Sequence, residues 1–373
     1  MFLVIRLRKA VLYLSLFLCA AVPLLLFVLL MQPGDIPVSA DPEKADRAIM
    51  AYVDGLIAVR NDSLLKGDIE TIERFYNKKV RNGLYAYEHE LKKTEYLKNW
   101  ARKQGVRFIS VVSKTRKKWI NTGGDRITVN FLASTQYRYV YTDRPEEENM
   151  LRIGTYHELV LQRYEGAWLI SREWYTDPFA DALTLENLDV AEDKDFILSQ
   201  EDAESPEIND SRAKAVAYAN AYCGAAASGE NGFDYNEEYR NYNNVGGDCA
   251  NFVSQVLYAG GFRKTGAWNY NKGGSLVWIK SQELKDFLLY SGRASLIAKG
   301  SYGEVLKASY QLLPGDIVAY QKKGKVAHVA VVTGADSRGY ALVNCHNTDR
   351  YRVPWDLGWS DSGIRFYLLR VNY

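Results

Sequence analysis

Asp248-Cys249 heads a run in which Cys249, Phe252, Val253, Val256 and Leu257 recur at i, i+3, i+4, i+7 and i+8, the spacing of one buried helical face. Asp248 suits an N-cap and Gly260-Gly261 a helix stop, so Cys249 is expected in the first turn. Unpaired N–H groups and the helix dipole favour an anion there. That predicts a lowered thiol pKa and a thiolate able to attack a carbonyl carbon, with nearby backbone N–H groups stabilising the oxyanion. Such a nucleophile needs a base held in register. His328 opens the apolar strand Val329-Ala330-Val331-Val332. The strand from Ala341 to His346 is expected to return antiparallel beside it. Asn344 and His346 share a parity on that strand, and either could orient the imidazole, His346 being preferred. Cys345 falls on the opposite face and reads as core.

Other readings of these residues stand beside that one. Cys249 could form a disulfide with Cys223 or Cys345. Zinc is a poorer fit, because no paired cysteine spacing is present, and no cofactor is expected. Asn251 and Gln255 read as residues that hold the loops around the helix. Asp316, after Pro314-Gly315, reads as a turn or supporting residue. Tyr239 could place a hydroxyl near the oxyanion. Trp268, Trp278 and Trp355 suit either a groove or the core, and His89 and His157 are isolated.

The elements that must position these groups follow from patterning. The 373 residues suggest two domains at roughly 150 residues each. With 47% hydrophobic and 25% charged residues, the chain is not disordered as a whole. A net charge of +2 gives no footprint for nucleic acid. Four cysteines cannot make a dense disulfide framework. Arg6, Arg8 and Lys9 precede an uncharged apolar run from Ala10 to about Met31. That is the pattern of a single transmembrane anchor with the remainder extracytoplasmic; the alternative is secretion after cleavage near Ala40. Residues 1–40 are thus expected as a cytoplasmic stub and anchor, with Cys19 an apolar filler within it.

Residues 41–180 read as helices followed by a meander of long strands, an α+β domain whose order resembles the cystatin-like cone fold of the SnoaL group. Residues 181–210 are crowded with Asp and Glu, with Lys194 as their basic residue, and read as a solvated linker. Residues 211–373 again place helices before an antiparallel sheet, with Ser211 as the expected first N-cap.

The sequence Asp248-Cys249-Ala250-Asn251-Phe252-Val253-Ser254-Gln255, with Ala259-Gly260-Gly261 after it, resembles the DCxNFVSQxLxAGG motif of the bacterial putative amidase domain family. The likeness continues upstream in residues 215–219, Asn236, Tyr239 and Tyr242. Downstream it takes in residues 313–318, Ala327-His328-Val329 and residues 345–350. It covers about 211–373. The family is similar to papain-like cell-wall hydrolases of the CHAP and NlpC type. The resemblance therefore implies a papain-like fold with Cys249, His328 and His346 as its site. It implies a cysteine hydrolase that cleaves an amide or peptide bond through a thioester, on peptidoglycan or its stem peptides. Two alternatives remain: a non-catalytic cell-envelope binding module, and a transferase using the same thioester. Cys223 in the first helix departs from the family pattern. Oligomeric state and the role of residues 41–180 are not legible.

Overall fold

A computed structural model describes residue 36 and residues 41–179, 182–183, 191–201, 207–227 and 233–373. The elements are helices α1 (Pro42–Lys66), α2 (Glu70–Glu73) and α3 (Arg81–Gln104), then strands β1 (Val106–Gly123), β2 (Arg126–Tyr141), β3 (Arg144–Tyr164) and β4 (Ala167–Tyr175). After them come α4 (Ala191–Leu198), α5 (Asp210–Ala221), α6 (Cys249–Ala259), α7 (Leu276–Ile279), α8 (Ser281–Tyr290), β5 (Ala294–Gly300) and α9 (Tyr302–Ser309). The chain finishes with β6 (Ile317–Lys322), β7 (Lys325–Ala335), β8 (Ala341–Cys345), β9 (Asp349–Pro354) and β10 (Ile364–Val371).

Two compact units divide the chain. Among the described residues, the first takes those within 1–87, 119–129 and 159–173. Asp41 caps α1 by accepting from the Glu43 N–H at 3.0 Å, and Ile49, Val53, Leu56 and Ile57 form its buried face. The Tyr52 hydroxyl donates to the Trp168 carbonyl at 2.6 Å. A buried Arg60–Glu173 pair adds a bond of 2.9 Å from Nη1 to Oε1.

The second unit takes residues 88–118, 130–158 and 174–373. The strands β1 to β10 make a ten-stranded sheet in the order β1-β2-β3-β9-β8-β7-β6-β10-β5, with β4 beside β3. The pairs from β3–β9 through β10–β5 are antiparallel. Gly154 of β3 lies opposite Asp349 of β9. A Cβ at Gly154 would come within 2.4 Å of the Ala225 side chain, so only glycine fits that approach. On one face of the β6–β7 sheet, Ile317, Ala319, Val329 and Val331 pack with α5, α6 and α8 in one core. On the other, Tyr320, His328 and Trp359 stack. The acidic stretch 181–210 holds α4, whose Ile197 is buried, and Arg338 donates to the Leu198 and Gln200 carbonyls at 2.7 Å each.

The expected fold needs one correction. The class is α+β, built on a large antiparallel sheet, but the transmembrane helix expected over 10–31 is no part of it. Among the described residues no helix is long and apolar enough to cross a membrane, and residues 10–31 lie outside the described ones. One local difference also appears. Asn209, not Ser211, caps α5, accepting from the Arg212 N–H at 2.9 Å.

Candidate active site

Helix α6 begins at Cys249 as its period requires, and its inward residues from Cys249 to Leu257 are buried. Asp248 does not cap it through its side chain. Its Oδ1 instead accepts from the Tyr242 N–H at 2.9 Å and from Asn251 Nδ2 at 2.8 Å, and Oδ2 turns to His346. The Cys249 sulfur lies 3.2 Å from the Ser281 hydroxyl. Burial pushes its thiol above the ordinary cysteine value. Hydrogen bonds from Ser281, the Val329 N–H and the Ala250 N–H offset this only in part. The lowered pKa expected from the helix start is therefore corrected. The sulfur does receive N–H groups, but desolvation of the charged form outweighs them at a residue only 4% exposed.

His346 follows β8 and is buried against α6, with its ring stacked on Phe252 at 4.2 Å. Nδ1 lies 2.6 Å from Asp248 Oδ2 and Nε2 lies 2.6 Å from the Tyr222 carbonyl. A carbonyl only accepts, so Nε2 carries a hydrogen. The bond between Nδ1 and the Asp248 carboxyl then holds one further shared proton. Burial lowers the His346 pKa, but the Asp248 hydrogen bond and the neighbouring Asp349 and Asp248 charges outweigh it and hold it raised. With both ring nitrogens engaged, this imidazole has no free lone pair to accept a proton from a thiol.

His328 is placed elsewhere. It lies opposite Tyr320 across the β6–β7 ladder, while the next residue, Val329, lies opposite Ala319. Successive side chains alternate between faces. Val329 thus shares the core of Cys249, and His328 faces the other side, stacked 5.2 Å from Trp359. Its Nε2 is buried with no hydrogen-bond partner. Burial, helped by the Arg350 charge, lowers its pKa to about 3. The structure brings Asp248 and His346 together beside Cys249 and leaves His328 across the sheet. The cause is a bulge: Gln321 pairs with Val326 and Tyr320 with His328, so Ala327 is an extra residue.

The remaining candidates hold the frame. Asn344 points to the helix side as its parity predicts, donating to the Ala219 carbonyl and to Asn220 Oδ1 at 3.0 Å each. Its Oδ1 accepts from the Thr333 hydroxyl at 2.9 Å and the Arg352 N–H at 2.7 Å, so it ties α5, β7 and β9 together. Asn251 accepts from Trp278 Nε1 at 2.9 Å and donates to the Arg240 carbonyl at 3.0 Å. Gln255 accepts from the Tyr218 hydroxyl at 2.8 Å. Asp316 is fully buried between Arg212 and Arg370, at 2.9 and 2.8 Å. Tyr239 packs its ring against Tyr270 and Trp278. Trp268, Trp278 and Trp355 are all core. Cys223, Cys249 and Cys345 are free thiols.

Ser281, the Val329 N–H and the Tyr222 carbonyl carry no signal in the sequence. Each meets the site through one long-range contact, two of them through backbone alone. Asp349 was visible within a motif. Its burial is not, and that depends on Gly224. A side chain at Gly224 would meet Asp349 Oδ2 at 2.4 Å, and its φ of +67° lies in the left-handed region that suits glycine.

Comparison with known proteins bears on this site. The chain is 29% identical over 130 residues to the uncharacterized protein YhbB of Bacillus subtilis (strain 168), a stretch covering 32% of this chain and 40% of that protein. The chain thus spans well under half the length of that relative. Among solved structures, the intermembrane space region of chloroplast protein ARC6 aligns at 10% identity with a TM-score of 0.26, covering 37% of this chain and 98% of that one. A variant of Rv3472, a protein of unknown function from Mycobacterium tuberculosis, aligns at 14% identity with a TM-score of 0.25, covering 36% and 75%. At such scores neither adds to the reading of the fold. The family comparison is specific: residues 209–369 match the putative amidase domain. That stretch carries Cys249, His328 and His346, and its match to the putative amidase domain supports the hydrolysis of C–N bonds as its chemistry.

Proposed function

We propose that the amidase domain cleaves an amide or peptide bond with Cys249 as nucleophile, on a cell-wall peptide as the likeness to cell-wall hydrolases suggests. The observation that carries this is the position of Cys249 at the first residue of α6, where the Ala250 and Val329 N–H groups lower its thiol pKa against the burial that raises it. Those donors suit the oxyanion of an attacked carbonyl. The thiol proton goes to His328 in the working state. Moving the Ala327 bulge one residue along β7 would set Ala327 opposite Tyr320 and His328 beside Val329, on the face of Cys249. The sulfur then bonds to the carbonyl carbon, His328 returns the proton to the leaving amine, and water releases the thioester as acid and free Cys249.

A second reading has its own observation. With His328 across the sheet and the thiol buried and neutral, the domain could bind wall polymer without cleaving it. Purified peptidoglycan incubated with the full chain, with released amines counted, separates the two. Under the hydrolase reading the wild type releases amines, Cys249→Ala releases none, and His328→Ala loses at least about a hundredfold. Undiminished release by Cys249→Ala would sink the mechanism. No release by the wild type, with Cys249 resisting iodoacetamide at neutral pH, would favour the binding module.

A further inference from the structure

A pocket of about 260 Å³ lies in the second unit, with Trp174, Tyr156, Lys118, Asn243, Asn347 and Asp349 in its wall. Asp349 is buried, at 4% exposure. Its Oδ2 is satisfied by the Ala225 N–H at 2.7 Å and by the Tyr235 hydroxyl. Its Oδ1 is buried with no partner, and so is Oδ1 of Asn243. Buried polar atoms are nearly always paired, and both of these are acceptors. A ligand seated in this pocket can therefore donate O–H or N–H groups to both.

The walls narrow the choice. Trp174 is 57% exposed at the end of β4, with its indole edge-on to Tyr156. It presents a flat apolar surface to the pocket, the kind of surface on which aromatic side chains bind rigid amphipathic ligands. The Asp349 carboxylate disfavours an anion, and the Lys118 ammonium disfavours a cation. Asn347 and Thr348 both hold left-handed backbone, with φ of 69° and 70°. For a β-branched residue such as Thr348 that is strain, which persists where the surroundings over-determine it. The strained pair fixes Asn347 in the wall, two residues before Asp349.

We propose that this pocket is a binding site for a neutral, hydroxyl-rich ligand, a single saccharide residue of a longer chain. One sugar face stacks on Trp174, and its hydroxyls donate to Asp349 Oδ1 and Asn243 Oδ1. Cys249 is not in the wall of this pocket, and the proposal does not rest on the amidase reading.

The full chain is titrated with chitotetraose, cellotetraose and maltotetraose, followed by calorimetry and tryptophan fluorescence. At least one is expected to bind with a Kd of about 1 mM or tighter, and Trp174→Ala to weaken it at least about tenfold. Trp174 is exposed, so its variant should fold, which circular dichroism checks. Cys249→Ala should bind as the wild type does, so a failure of the hydrolase mechanism would leave this result intact. Binding that survives Trp174→Ala overturns the proposal. So does the absence of binding by all three saccharides at about 10 mM, or tighter binding of the cationic probe lysine amide than of any saccharide.

Discussion

The two histidines of the amidase domain are buried in opposite electrostatic settings, and they pull stability in opposite directions with pH. His328 has a folded pKa lowered to about 3. Below the unfolded value of about 6.5 the unfolded chain binds a proton that the folded one refuses. Stability is therefore lost as the pH falls from 6.5 towards 3, by about 2 kcal/mol on reaching pH 5 at about 1.4 kcal/mol per unit. His346 is raised by Asp248 and Asp349 against its burial. Its contribution is complete below about 6.5 and is lost as the pH rises through its folded pKa. The expected outcome is a stability maximum near the unfolded histidine value. Urea unfolding at a series of pH values checks it. His328→Phe should flatten the acid arm and His346→Gln the alkaline arm; an acid arm that survives His328→Phe would refute the assignment.

At the scale of elements, Asp316 joins three pieces of chain. Its Oδ1 accepts from Arg212 of α5 at 2.9 Å and from the Val371 N–H of β10 at 3.0 Å. Its Oδ2 accepts from Arg370 at 2.8 Å and the Leu313 N–H at 2.9 Å. Arg212 also donates to the Pro314 carbonyl at 2.7 Å and the Val371 carbonyl at 2.6 Å. Asp316→Leu would leave Arg212 buried without its counter-charge, a loss of about 3–5 kcal/mol, measurable as a fall in the urea midpoint at unchanged m. The Pro-Gly turn before Asp316 was legible from residue types; its two arginine partners, far off in sequence, were not. The same divide runs through the site. The buried face of α6 and the shared parity of Asn344 and His346 were legible because both rest on a local period. The face taken by His328 was not, because one extra residue at Ala327 reverses the parity of the strand without altering its apolar pattern. The short β9, set off by two left-handed residues at 347 and 348, was missed for want of any period.

At the scale of the whole molecule, the second unit draws on chain from both sides of the acidic stretch. Asp356 shows what holds it. Its buried carboxylate accepts from Trp100 Nε1 at 3.2 Å, from the Tyr340 hydroxyl at 2.8 Å and from Lys103, a partner just as buried. The Tyr139 and Tyr141 hydroxyls likewise donate to Asp336 at 3.0 and 2.8 Å. Residues before 181 thus supply the counter-charge and donors of carboxylates that come after 210. A buried charge that loses its partner costs far more than the pair contributes. Lys103→Met should therefore destabilise the full chain by about 3–5 kcal/mol. Combining it with Asp356→Leu should recover much of that loss, since neither charge then remains buried. A fragment beginning at residue 207 carries Asp356 with neither Lys103 nor Trp100, and leaves the β9 edge without β3. It should not unfold in a single cooperative urea transition, whereas the same fragment with Asp356→Leu should regain part of that cooperativity. A wild-type fragment that unfolds cooperatively at the midpoint of the full chain would show that the amidase domain carries its stability alone, and would count against this network.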